Sequence, residues 1–176
     1  PAIAALNPTA HLPKTAIVVV HRQDGSGTTE NFTKYLVAAA PTTWKLKSGS
    51  TVEWDKTTSS GSGNAGVADT IAKQPGAIGY VDFSDAKVKS LTFASVKNAK
   101  GTFVAPSIDA TTAALEAVTL NPDLTYNPLN SSAEKAYPIA APTWILVYKT
   151  QKDQATADII KAFLTYTYGK GQDSAA

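Results

Sequence analysis

A chain of 176 residues with 43% hydrophobic residues is long enough to bury one core, and sixteen basic against fourteen acidic residues leave a formal charge of only +2. That balance, with no Lys/Arg stripe interleaved with aromatics, excludes an electrostatic case for nucleic acid. The lack of cysteine excludes a disulfide framework, a thiolate metal site and a catalytic thiol, and no apolar run reaches membrane-spanning length.

In chain order, Ile3 and Leu6 suggest a short apolar helix before Pro8 and Pro13 break regular structure, with His11 on the surface between them. Ile17 to His21 reads as a strand buried on both faces. A helix over residues 29–39 stops before Pro41, and Gly49 to Glu53, between Trp44 and Trp54, reads as a short strand with Trp44 in the core. Residues 57–66 form a glycine loop with Asn64 capping a helix over 65–73. Gly61-x-Gly63-x-x-Gly66 matches a dinucleotide fingerprint formally, but the strand before it ends too early for a clean strand–turn–helix unit.

Strands are expected over 77–83, with a close backbone approach at Gly79, and over 91–96. A hairpin-like turn at 97–101 leads to 102–104. Asp109 is the candidate cap of a helix over 110–118, and 121–130 is an irregular Pro/Asn loop. Residues 143–149 read as a second apolar strand beside 17–21 or one place away. Asp153 caps a helix over 154–168 whose residues Ile159, Ile160, Phe163, Leu164 and Tyr166 form a buried stripe, with Gly169 at its end and a fraying tail from 170 to 176. Strands alternating with helices place the chain in the α/β class, with a mixed sheet flanked by helices.

The chemistry concentrates in residues 17–29, where an apolar strand passes through His21, Arg22 and Asp24 into the turn Gly25-Ser26-Gly27-Thr28-Thr29 and a helix. A helix start carries unpaired amides and partial positive charge, a seat for an oxyanion. Gly25 and Gly27 let a ligand approach the backbone, the hydroxyls add donors, and Arg22 adds a planar charged fork. A capped surface helix beside an Arg–Asp pair accounts for the same spacing. Catalysis finds little support: Gln23 replaces the outer glycine of a nucleophile elbow, no lysine precedes Thr28 as a Walker loop requires, and His11 and His21 lack metal-ligand spacing.

His21-Arg22-Gln23-Asp24-Gly25-Ser26-Gly27-Thr28 resembles the phosphate-binding segment of the PstS family, the substrate-binding proteins of phosphate ABC transporters. Residues 2–8, 61–68, 75–81, 136–139 and 144–149 resemble further family blocks in the family's order. The resemblance implies a type II periplasmic-binding-protein-like lobe, and residues 1–176 are expected to form one α/β domain, the second lobe. The first lobe, with its own phosphate loop and acidic residue, and the C-terminal segment that returns to it are expected to be absent. Carried over by position, Arg22, Ser26, Gly27 and Thr28 contact phosphate, Ser26 and Thr28 donating through hydroxyl and amide, Gly27 through its amide only and Arg22 through its guanidinium, with Asp24 locking the arginine and Gly25 in support. The family implies no enzyme activity, cofactor or metal, an extracytoplasmic location, and the missing lobe and the transporter's membrane subunits as partners. With half the cage absent, weak and unselective phosphate binding is expected. The rival reading is an isolated lobe that self-associates through exposed interlobe surface without useful phosphate affinity.

Overall fold

The computed structural model describes residues 2–175. By its own contacts the chain falls into two compact units, Pro1–Ala141 and Pro142–Ala176. The first unit is built on three parallel strands, β1 (Val18–Arg22), β2 (Ser59–Gly61) and β3 (Ala77–Gly79), in the order β2-β1-β3. Register pairs Val20 with Ser59 on one side of β1 and with Gly79 on the other. Helix α1 (Ala2–Leu6) precedes the sheet. Helices α2 (Gly27–Ala39) and α3 (Gly63–Lys73) make the crossovers that parallel neighbours require, and α4 (Phe83–Val88) follows β3.

Parallel and antiparallel pairing occur in separate sheets, not in one mixed sheet. The antiparallel pair is β4 (Val96–Lys97) with β5 (Phe103–Val104), closed by the turn expected at 97–101. The Asn98 amide anchors that turn, donating to the carbonyls of Ala133, Glu134 and Ala136 while its oxygen accepts from the amides of Lys100 and Thr102. Helix α5 (Ile108–Glu116) begins at Ser107, whose hydroxyl accepts from the Ala110 amide, so Ser107 and not Asp109 is the cap. Its Ala114 packs with Ala136 and Ala140 in a buried alanine cluster, and 121–130 is irregular as expected.

Packing corrects two further expectations in this unit. Strand β1 is fully buried only at Val20, while Ile17 and Val19 remain exposed, so the sheet is covered more heavily on one side. Residues 49–53 form no strand: 49–51 are bends, and the Ser50 carbonyl is committed to the Ser26 amide and to no ladder. Trp44 is half-buried, edge-on to Trp54. Where β2 meets α3, a Cβ on Gly61 would lie 2.3 Å from the carbonyl carbon of Gly66, so strand and helix touch backbone to backbone. The same device holds β1 to β3, since a Cβ on Gly79 would lie 2.5 Å from the Val20 carbonyl oxygen.

In the second unit, residues 143–149 form no strand, and Leu146 is 90% exposed. Helix α6 (Gln154–Thr167) has the cap expected of it, with Asp153 accepting from the Thr156 amide at 2.7 Å. Its apolar stripe, however, buries no residue completely: Ile159, Phe163 and Tyr166 are exposed, Ile160 and Leu164 half-buried. The tail holds a one-turn helix, α7 (Gln172–Ala175), where fraying is expected, and Ala176 lies outside the described residues.

Candidate functional site

The three parallel strands end together, and each hands over to a helix at the same edge of the sheet. Strand β1 leads through residues 23–26 into α2, β2 through Ser62 into α3, and β3 through residues 80–82 into α4. Ligands of open α/β sheets gather at this edge, because helix N-termini and strand-end loops converge there. The structure thus supplies the strand–turn–helix hand-off at Gly61–Gly66 that the sequence reading denied. Helix α3 starts at Gly63 after Ser62, so Asn64 is not its cap.

Arg22 occupies the centre. Its side chain is largely buried, and its five N–H groups can be followed one by one. Nε donates to Asp24 Oδ1 at 2.9 Å and one Nη2 hydrogen to Asp24 Oδ2 at 2.5 Å, a bidentate fork. The Nη1 hydrogens go to Ser26 Oγ and Asn64 Oδ1, each at 2.8 Å. One Nη2 hydrogen remains. The fork raises the arginine pKa and holds the Asp24 carboxyl far below the usual carboxylate range, through the Arg22 hydrogen bonds first and the Gly63 amide second. Asp24 thereby ties the β1 loop to the start of α3.

Ser26 is buried in extended conformation as the cap of α2. Its oxygen accepts from Arg22 Nη1 and from the amides of Thr28 and Thr29, while its own amide donates to the Ser50 carbonyl at 2.9 Å. The amide donors expected from Ser26 and Thr28 are therefore engaged within the chain, because a buried cap satisfies its own helix. Among the described residues no hydrogen bond occupies the Gly27 amide, and a Cβ on Gly27 would meet nothing within 4 Å. Gly25 lies near Thr51.

Three residues that local reading missed complete the site. Tyr80, just past β3, pairs its hydroxyl with Thr29 Oγ1 at 2.7 Å and accepts from the Arg22 amide at 3.2 Å. Its ring stacks on Phe32 and Trp54. Asn64 spans Arg22 and Asp82, donating from Nδ2 to Asp82 Oδ2 at 2.6 Å. Asp82 stands at the start of α4 but makes no side-chain bond to its own helix; its Oδ1 accepts from the Thr28 hydroxyl at 3.1 Å. Only spatial pairing reveals these roles, since Thr28 and Asp82 are 54 residues apart. His21 points elsewhere, stacked on Trp54 with its ring nitrogens near the Arg22 carbonyl and Thr58. Among the described residues no group of three or more acidic, histidine or cysteine side chains could hold a metal, and no helix is long and apolar enough to cross a membrane.

Comparison with known proteins agrees with this architecture. Residues 7–170 match the PBP superfamily domain. Over 99% of its length the chain is 37% identical to the phosphate-binding protein PstS of Haemophilus influenzae, and over 99% it is 36% identical to that of Xylella fastidiosa. It is 35% identical to PstS of the archaeon Methanocaldococcus jannaschii over 92% of its length. The aligned regions cover 53%, 48% and 46% of those proteins, so the chain spans about half the length of the curated relatives it matches. With a parallel sheet whose βα loops meet at one edge and a superfamily match running through nearly all of its residues, the chain belongs to the PBP superfamily.

Proposed function

We propose that this chain binds inorganic phosphate as the ligand-binding part of an extracytoplasmic ABC importer, without catalysing a reaction. Arg22, Ser26, Gly27 and Thr28 form one side of the cradle, and Asp24 and Gly25 support it. The observation that carries the reading is the arginine at the convergence of three βα junctions, clamped by Asp24, Ser26 and Asn64 so that a single N–H is left to a ligand. A guanidinium held this way has already lost its rotamer freedom, so an oxyanion gains a charge-assisted bond at little ordering cost. The printed names of the relatives, all phosphate-binding proteins, support the same ligand.

One lobe supplies half of such a cage. The facing half, and the membrane subunits that would receive the ligand, belong to the larger assembly of which this chain forms part in this reading. Exchange of phosphate with solvent should consequently be fast and affinity modest. Titration calorimetry on the chain and on Arg22→Gln tests the assignment. Losing a charge-assisted bond of about 1.5–3 kcal/mol should weaken phosphate roughly tenfold or more. Phosphate binding unchanged in a variant that melts like the parent would refute it.

A further inference from the structure

We infer that helix α6 pairs, antiparallel, with α6 of a second copy of this chain about a two-fold axis at Ala162. The inference stands apart from the phosphate reading and concerns the second unit alone. Side chains along α6 divide between two faces. Thr156, Ile160, Leu164 and Thr167 are half-buried and share one face. The adjoining face carries Ile159, 70% exposed, Phe163, 58%, and Tyr166, 54%. At i, i+4 and i+7 these three make a continuous row, the seam by which helices pair, and not singly scattered apolar residues.

Charge identifies the occupant. A groove of about 600 Å³ follows one flank of the row, lined among others by Asp158, Lys161, Ala162, Thr165 and Lys170. The acid stands nearest the helix N-terminus and the bases follow it. Among the described residues no ion pair engages any of these three charges. In an antiparallel two-fold pair the same flank of each helix meets itself in reverse. Asp158 of one copy then lies within about a turn and a half of Lys161 of the other, with Lys170 just past the helix end on the same flank. A parallel pair would instead bring Asp158 level with Asp158 and Lys161 level with Lys161, and would align the two helix dipoles.

Side-chain size at the axis agrees. Ala162 is the small residue among Ile159, Phe163 and Tyr166, so two copies can close on one another there while the larger side chains interlock on either side. Tyr166 comes level with Asp158 of the second copy. That carboxylate has an oxygen to offer the tyrosine hydroxyl, since only its Oδ1 accepts within the chain, from Gln154 Nε2 at 2.8 Å. One helix pair covers less than the roughly 1,200–2,000 Å² of a standard interface, so the dimer should be weak, dissociating in the micromolar range or above.

Sedimentation equilibrium over a wide concentration range, on the chain and its variants, tests it. The parent should dimerise, and Phe163→Asp should weaken the dimer about tenfold or more. Asp158→Lys should weaken it too, and adding Lys161→Asp and Lys170→Asp to that variant should restore it. The chain contains no cysteine, so single introduced thiols report the orientation. A short bismaleimide should link Ala162→Cys to its own copy and leave Ala155→Cys unlinked, since antiparallel pairing holds the latter two thiols roughly 20 Å apart. Linking of both variants would mean a parallel pair and overturn the inference. A dimer indifferent to Phe163→Asp would place the contact elsewhere on the chain and overturn it equally. So would a parent that stays monomeric at near-millimolar concentration, which would leave the face to a covering element outside this chain.

Discussion

Two apolar runs in this chain have similar composition and opposite surroundings. Residues 17–21 enter β1, which has a parallel neighbour on each side and buries Val20 completely. Residues 143–149, with Trp144, Ile145, Leu146 and Val147, form no strand and leave Leu146 90% exposed. The difference lies in neighbours. Around β1, Gly79 allows the β3 backbone to come within reach of Val20, and Gly61 does the same for α3 against β2. A β-branched run becomes a central strand only where flanking segments can approach it closely enough to pair and to pack, which is why β propensity depends so strongly on context. The same close packing fixes the site, because Arg22, Asn64 and Asp82, at three strand–helix junctions, can bond only if their three strands end in register.

The comparison breaks hardest at Gly61. Its added Cβ would overlap the Gly66–Val67 backbone at 2.3 Å, and backbone cannot rotate away as a side chain can. Gly61→Ala should destabilise the first unit by about 3 kcal/mol, at the upper end of overpacking costs. It should also disturb the bonds from Asp24 and Arg22 to the start of α3. Denaturant unfolding followed by tryptophan fluorescence reads the first effect. A stability within about 0.5 kcal/mol of the parent, the usual surface-mutant margin, would show that β2 and α3 are not held as tightly as their geometry indicates.

A smaller contrast sets Val20→Ala against Leu146→Ala. Removing two carbons from the fully buried Val20 should cost about 2–3 kcal/mol, transfer and cavity together. Truncating the exposed Leu146 should change stability by less than about 0.5 kcal/mol, despite the larger side chain removed. Paired unfolding curves measure both. If Leu146→Ala proved as costly as Val20→Ala, residues 143–149 would be buried in solution, and the contrast between the two runs would collapse.

How much of this was legible in the sequence follows the reach of each interaction. The position of the first strand, the stop of α2 before Pro41, the turn at Asn98–Gly101 and the Asp153 cap all depend on residues a few positions apart, and each agrees with the structure, although the burial expected on both faces of the strand does not. The α5 cap was misassigned because Ser107 and Asp109 are both good caps, and only the extended backbone at Ser107 selects between them. Asn64 reads locally as a cap, yet its partners Arg22 and Asp82 are 42 and 18 residues away. The Arg22–Asp24 fork was visible from its two-residue spacing. The commitment of four of the arginine's hydrogens to the protein, counted from two bonds to Asp24 and one each to Ser26 and Asn64, was not. The buried stripe expected of α6 failed for a related reason: amphipathic spacing marks which face would be covered, and it carries no information on whether a covering element is present.

The finest test of the comparison is electrostatic, because each unit holds an exposed aspartate with a depressed pKa. Asp153 is lowered by accepting from the Thr156 amide, whereas Asp24 is lowered by the Arg22 fork, with the Gly63 amide second. A carboxylate whose folded pKa lies below its unfolded value stabilises the fold above the unfolded pKa, near 3.8, and loses that contribution as pH falls through the folded value. Acidification should therefore leave both bonds intact down to about pH 4, then release the α6 cap before the arginine fork. Carbon-detected NMR titration of the two side-chain carboxyls follows this directly. Asp24 should retain its ionised shift at pH values where Asp153 has begun to protonate. An Asp24 carboxyl titrating at the ordinary value would mean that the fork is open in solution, and that Arg22 offers its ligand a mobile charge in place of a fixed one.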